Sequence, residues 1–297
     1  MPSLFLFLIK INAVLLLFAI AYFLVLRRLT FYTINRYFLL IGIVFSSMYP
    51  FIDLTKLFAK QNQISLDLVP AIYTSDALNN SANPFYWNVL SLVFYAGMTL
   101  LLVRFLIQLF SLFRVHQNSY PGHINHYPIR VLNEKINPFS FWNSIYINPE
   151  IHSQSDLQTI LAHEKIHVQQ KHTIDIILSE LSVIIYWFNP GVWLIKKAVK
   201  ENIEFIADAE VLKKGIEKKV YQYDLLKVET GHSALALVNA FSISGLKKRI
   251  QMMNVKRSSP YKMIVYFILL PVVIVFALAF TISKKDILAV RVLKNTV

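Results

Sequence analysis

Ala162-His163-Glu164-Lys165-Ile166-His167-Val168 is the stretch on which the reading of this 297-residue chain turns. On a helix, positions i and i+4 share a face, so His163 and His167 can converge on one metal ion. Glu164 stands beside them, placed to take a proton from an attacking water. That is the arrangement of a zinc-dependent peptide hydrolase. A polar turn of surface helix is the alternative, and the surroundings weigh against it. Residues 156–162 are helix-compatible, and Ser153 or Ser155 can cap the start of that helix.

A catalytic zinc needs a third protein ligand and an open position. A metzincin would place Gly at 170 and His at 173, but this chain has Gln170 and Thr173, with His172 one residue out of register. The other common solution is a Glu on a later helix. Glu201-Asn-Ile-Glu204-Phe-Ile-Ala-Asp208 offers it, with Glu204 and Asp208 at i and i+4. Glu204 is expected to complete the ligand set, and Asp208 to accept a hydrogen bond from a ligating imidazole. Glu201 and Glu180 are the competitors, Glu180 being equally readable as a buried structural partner.

Composition sets the environment of this site. Hydrophobic residues make up 56% of the chain and aromatic residues 14%, with a mean hydropathy of +0.49, too apolar for an ordinary soluble domain. There is no cysteine, so no disulfide framework exists and thiols say nothing about compartment. A formal charge of +13 would suggest nucleic acid in a soluble protein. Here the basic residues gather at the ends of apolar runs, so the lipid bilayer is the expected partner and direct nucleic-acid binding is not.

Four apolar runs read as membrane spans: Ser3 to Leu26, Tyr37 to Ile52, Trp87 to Ile107 and Tyr261 to Ile282. The second is short for a bilayer. A signal peptide is disfavoured for the first, because no basic segment precedes it and Arg27-Arg28 follow it. Lys10 reads as a snorkelling side chain, and Arg104 as an anchor of the third span. The loop from Arg27 to Arg36 carries three arginines and no acid, whereas Asp53 to Pro84 has two lysines, three aspartates and no arginine. The first is therefore expected to be cytoplasmic and the second external, and Phe113 to Ser259 again cytoplasmic. Lys284, Lys285, Arg291 and Lys294 in the tail go against that rule. The expected division is residues 1–112 with three spans, 113–260 with the zinc domain, and 261–297 with the fourth span and a short tail.

Within the middle segment, Tyr127 to Leu132 and Ser144 to Asn148 read as short strands forming a small hairpin-like element. After the His163 helix, Ile174 to Val199 is largely apolar but broken by Asn189-Pro190-Gly191. It reads either as a helical hairpin that dips into the inner leaflet or packs on the spans, or as a buried hairpin of the domain. Lys213 to Lys219 reads as solvated surface. Leu246-Lys-Lys-Arg-Ile250 through Arg257 reads as a basic lead-in to the fourth span, beside anionic lipid. The fold class is thus mainly α, a polytopic membrane protein with four transmembrane helices and a cytoplasmic zinc domain carrying a small β element.

Pro138-Phe-Ser-Phe141, Leu161 to His167, Trp187-Phe-Asn-Pro190 followed by Trp193, Glu204 to Asp208 and Leu246 to Ile250 occur in an order that resembles the BlaR/MecR-type membrane metallopeptidases. The resemblance runs from the first span to the fourth. It implies a gluzincin-like zinc metalloprotease domain in which His163, His167 and Glu204 bind Zn2+, Glu164 is the general base and Asp208 stands behind the ligands. It also implies a transducer that cleaves itself or a cytoplasmic transcriptional repressor, and it allows a homodimer. The best-known members sense a β-lactam through an external domain. Here only residues 283–297 follow the fourth run, too few for a penicillin-binding sensor, so that role is not expected. The resemblance also suggests that Pro138 to Phe141 occlude the cleft when idle. Tyr221, Tyr223 and His232 are candidate oxyanion donors by residue type alone. A quality-control or processing protease and a non-catalytic membrane transducer are the alternative functions.

Overall fold

The computed structural model describes residues 3–51, 85–124, 127–134, 136–230 and 236–279. Helices dominate. α1 (Ser3–Leu24) and α2 (Tyr32–Met48) form an antiparallel pair, followed by the long α3 (Phe85–Asn118). Strands β1 (Tyr120–Ile124), β2 (Tyr127–Val131), β3 (Phe139–Phe141) and β4 (Ser144–Ile147) come next. The remaining helices are α4 (Gln154–Gln169), α5 (His172–Ile185), α6 (Pro190–Lys213), α7 (Lys218–Thr230), α8 (Ala236–Asn254) and α9 (Ile264–Ala279).

Among the described residues, three segments are long and apolar enough to cross a membrane: Leu4–Arg28, Phe85–Asn118 and Pro260–Leu278. The expected second span falls on α2, whose 17 residues reach about 25 Å against a hydrocarbon core of roughly 30 Å. The third helix runs on past its expected end at Ile107 to Asn118, and Arg104 stays exposed within it. The basic tail and the loop from Asp53 to Pro84 lie outside the described residues.

Both expected strands form, but they are not the two arms of a hairpin. β2 and β4 pair in parallel, with Arg130 opposite Tyr146, and each gains an antiparallel neighbour in the sheet order β1-β2-β4-β3. Parallel neighbours need a crossover, and β3 with the loop before it supplies one. β3 is the edge strand next to α4.

α4 is sandwiched. Leu157, Ile160 and Leu161 pack against Ile129, Ile145 and Ile147 of the sheet. Ala162 and Ile166, at i and i+4, pack against Ala207 and Val211 of α6 and Tyr221 of α7. His163 and His167 lie between these two apolar faces. The helix starts where expected: Ser153 Oγ accepts from the Asp156 N–H and the Asp156 carboxylate accepts from the Ser153 N–H.

α5 and α6 make the hairpin around Asn189-Pro190-Gly191, and it packs on the apolar helices. Val183, Tyr186, Val192, Ile195, Ala198 and Val199 share one core with α1, α2 and α9. Asn189 Nδ2 donates to Asn12 O, midway along α1, at 3.2 Å. A Cβ on Gly191 would stand 3.0 Å from the Leu16 Cα, so only glycine lets the two backbones approach this closely. Trp187 lies against Gly97 of α3, and its indole N–H donates to Phe94 O at 3.2 Å. The tip therefore reaches deep along the apolar helices, while Leu181, Ile185, Phe188 and Leu194 remain exposed around it.

Candidate metal centre

Local helix geometry brings the first two groups together. His163 Nε2 and His167 Nε2 face each other at 3.0 Å, close to the ~3.3 Å spanned by two nitrogens each 2.0–2.1 Å from one tetrahedral zinc. α6 crosses α4 and delivers Glu204 to the same point. Its carboxylate oxygens lie 3.4 Å from His163 Nε2 and 3.6 Å from His167 Nε2. One atom from each of the three residues falls within 4.8 Å of the others, a group that could hold a metal ion.

The competitors are occupied elsewhere. Glu180 holds Lys196 at 2.6 Å and Lys200 at 3.1 Å within the α5–α6 hairpin. Glu201 pairs with Lys248 at 2.5 Å. Neither reaches the imidazoles.

Behind His163 stands a chain of polar groups. His163 Nδ1 lies 2.9 Å from the Tyr221 hydroxyl, which donates to Asp208 Oδ1 at 2.6 Å. Asp208 itself is 3.5 Å from His163 Nδ1, so Tyr221 makes the tighter link. With Nδ1–H donating to the tyrosine oxygen, the His163 Nε2 lone pair is left for a cation. Behind His167 the partner is another imidazole, His172, Nδ1 to Nδ1 at 2.8 Å. Burial, with the charges of His167 and Arg36 adding to it, pushes His172 down to about 3, so this ring is neutral and can accept. The donor set therefore fits zinc: two imidazoles with their outer nitrogens engaged, and a carboxylate.

Arg249 of α8 closes the site. Its Nε and Nη2 grip Asp208 at 2.9 and 2.6 Å, and Nη1 reaches Glu204 at 3.0 Å. Burial works against the charge on Glu204, but Arg249 and the two imidazoles outweigh it and hold the carboxyl well below the usual range. At His163 burial alone would depress the imidazole, and the hydrogen bond with Glu204 raises it instead. At His167 burial prevails and the ring is lowered.

Arg249 is the residue that the sequence reading missed, having grouped it with Lys247 and Lys248 as a basic lead-in. The signal was its spacing: it stands three residues after Leu246 and four before Met253, on the face where both pack inward. Tyr221 is 1% exposed and sits behind His163, so it does not face an oxyanion. Tyr223 is 69% exposed on the outside of α7, and His232 lies outside the described residues.

A cavity of about 470 Å³ opens over these groups, lined by His163, Glu164, His167 and Glu204 and walled by Pro138 and Phe139. Phe139 stacks on Tyr146 at 4.8 Å, which fixes the wall to the sheet.

A helical HExxH face with a Glu from the next long helix, attached to segments long and apolar enough to cross a membrane, is the arrangement of a membrane metallopeptidase. A family profile described as BlaR1 peptidase M56 matches residues 4–253, and the chain belongs to that family. It is also similar to the regulatory protein BlaR1 of Bacillus licheniformis, 32% identical over 117 residues. That match covers 36% of this chain and 19% of the relative.

Proposed function

We propose that this protein is a zinc-dependent metalloendopeptidase of the bacterial inner membrane and a signal transducer. In this reading it cleaves itself, a cytoplasmic regulator such as a transcriptional repressor, or both. The observation that carries it is the convergence of His163, His167 and Glu204 beneath a cavity that also holds Glu164. Zinc, when bound, supplies a Lewis acid that lowers the pKa of water and polarises a peptide carbonyl. The imidazoles of His163 and His167 and the Glu204 carboxylate would hold it. Asp208, through Tyr221, fixes the ring of His163, and Arg249 pairs with both Asp208 and Glu204. Glu164 is outside the group His163, His167 and Glu204 but lines the same cavity. Its carboxylate takes the proton of the attacking water and hands it to the leaving amine. A substrate segment enters extended beside β3, an edge strand among the described residues with its end at the cavity wall.

In the same reading α2 is a fourth span, the hairpin tip lies within the bilayer, and residues 113–260 face the cytoplasm. The three arginines at 27, 28 and 36 and the basic run from Lys247 to Arg257 support that side. Cysteines introduced near residue 215 should then be shielded from impermeant reagents in intact cells, and those near residue 75 labelled. The reverse pattern would leave only substrates outside the cytoplasm.

The chemistry is tested by Glu164→Ala in the full chain in membranes, with self-cleavage and cleavage of a co-expressed regulator followed together. Zinc should stay at parental occupancy while cutting falls about 10²–10⁴-fold. Cleavage at the parental rate would overturn the mechanism. Zinc binding with no proteolysis even in the parent would favour a non-catalytic transducer.

A further inference from the structure

The turn joining α4 to α5 is held from the membrane side. Gln170 ends α4, and Lys171 takes a left-handed conformation at φ 53°, which a β-carbon disfavours by about 1 kcal/mol or more. Such a turn persists only where its neighbours fix it. Arg36 of α2 does so with its whole guanidinium. Nη2 donates to Gln170 O at 2.8 Å and Nη1 to Gln170 Oε1 at 3.4 Å, while Nε and Nη2 meet the Asp175 carboxylate at 2.7 and 3.1 Å. From the other side, the Trp142 N–H donates to Thr173 Oγ1 at 2.9 Å. His172 sits at the centre of this clamp, 1% exposed, with Nδ1 on Nδ1 of His167. Its other ring nitrogen is buried without a hydrogen-bond partner among the described residues. A buried histidine present only for packing would not need to spend its acceptor on that atom.

We propose that His172 is a positioning residue for His167, and that Arg36 on the membrane-packed α2 sets where it stands. This inference rests on His167 being a zinc ligand. His172 Nδ1 accepts the His167 Nδ1–H, which selects the tautomer with a free Nε2 and fixes the ring toward Glu204. The two histidines of the site are thus held from different places. His163 answers to α6, α7 and α8, and His167 answers to α2. A shift of α2 relative to α5 changes one half of the site while leaving the other.

The test uses the full chain in detergent. Zinc affinity is read by competition with a chromophoric chelator, the ligand field by the Co2+ absorption spectrum, and folding by metal-free thermal melts. His172→Phe keeps the shape and removes the acceptor. It should bind zinc about 10- to 100-fold more weakly and alter the Co2+ spectrum. His172→Asn, whose amide oxygen can stand where Nδ1 stood, should recover most of the affinity. The paired change Arg36→Gln with Asp175→Asn, which strands no lone charge, should weaken zinc in the same direction. Adding His172→Phe to that pair should cost no more than His172→Phe alone. Parental affinity and spectrum in His172→Phe would overturn the proposal, as would strict additivity with the Arg36 pair. If His172→Phe fails to fold, the Arg36 pair decides, and parental affinity there overturns it. A parent that binds no zinc would bring down the metallopeptidase reading itself, and this inference with it.

Discussion

The two halves of α6 are one continuous helix in two different surroundings. From Pro190 to Val199 it presents Val192, Ile195, Ala198 and Val199 to the bundle of α1, α2 and α9. From Glu201 to Lys213 it presents Glu204 and Asp208 to His163, with Ala207 and Val211 packing on α4. Asn202 marks the change, donating to Tyr32 O at the start of α2 at 2.9 Å. The first half is held by close packing of apolar side chains in a core shared with α1, α2 and α9. The second is held by charge and directed hydrogen bonds. The candidate metal ligand Glu204 sits in the half where carboxylates meet named partners, and the mainly apolar half carries it to its place.

The comparison predicts that the two halves fail differently. The largest effect is expected at Glu204→Ala, which should lower zinc affinity by more than the roughly 100-fold that loss of an outer partner reaches, with the melt little changed. Glu201→Ala and Glu180→Ala should keep parental zinc, measured by metal content after gel filtration. Loss of zinc in either of these two, with retention in Glu204→Ala, would reverse the assignment. Ile195→Ala, in the packing half, should do the opposite. It should cost about 2 kcal/mol of stability, the low end for a buried large-to-small change, while the folded fraction keeps its zinc. Unfolding in mixed micelles reads the first and metal content the second.

A smaller effect is expected at Gly191→Ala. The added carbon meets the Leu16 backbone at 3.0 Å, so α6 must shift off α1, at about 1–2 kcal/mol. If that shift alone abolished zinc binding, the halves would be mechanically coupled and the contrast drawn between them too sharp. The smallest effect belongs to the helix facing the site half. Ser153→Ala removes one side of the capping box of α4 and should cost about 1 kcal/mol. Asp156 gives that cap a pH dependence. Burial works against its charge, but Lys227 and Ser153 outweigh it and lower its pKa in the fold. Its contribution is therefore complete above the unfolded carboxylate value of about 3.9 and is lost as pH falls through the lower folded value. Melts near neutral pH and near pH 3 should show the Ser153→Ala penalty shrinking at the acid end.

Particular residues show what was legible in advance. His163 and His167 are four apart on one helix, so their meeting is a local matter and spacing alone foretold it. The Ser153 cap was legible for the same reason. Glu204 was favoured over Glu180 and Glu201 by pattern, but lysines on α6 and α8 are what remove the competitors from the site. The strands at β2 and β4 were readable from composition, whereas their parallel pairing was not, because register belongs to the partner as much as to the strand.

The sequence by itself determined the apolar segments, the helix breaks at Asn189-Pro190 and the HExxH face, all of which depend on residues within a few turns of one another. Only the tertiary structure decided that Tyr221 stands behind His163, that Arg249 binds Asp208 and Glu204, and that Arg36 reaches the turn beside His172. Those contacts join residues 58, 41 and 134 positions apart, as between Tyr221 and His163, Arg249 and Asp208, and Arg36 and Gln170. No periodicity spans such distances; the crossing of α4, α6 and α8 and the packing of α2 on α5 set them.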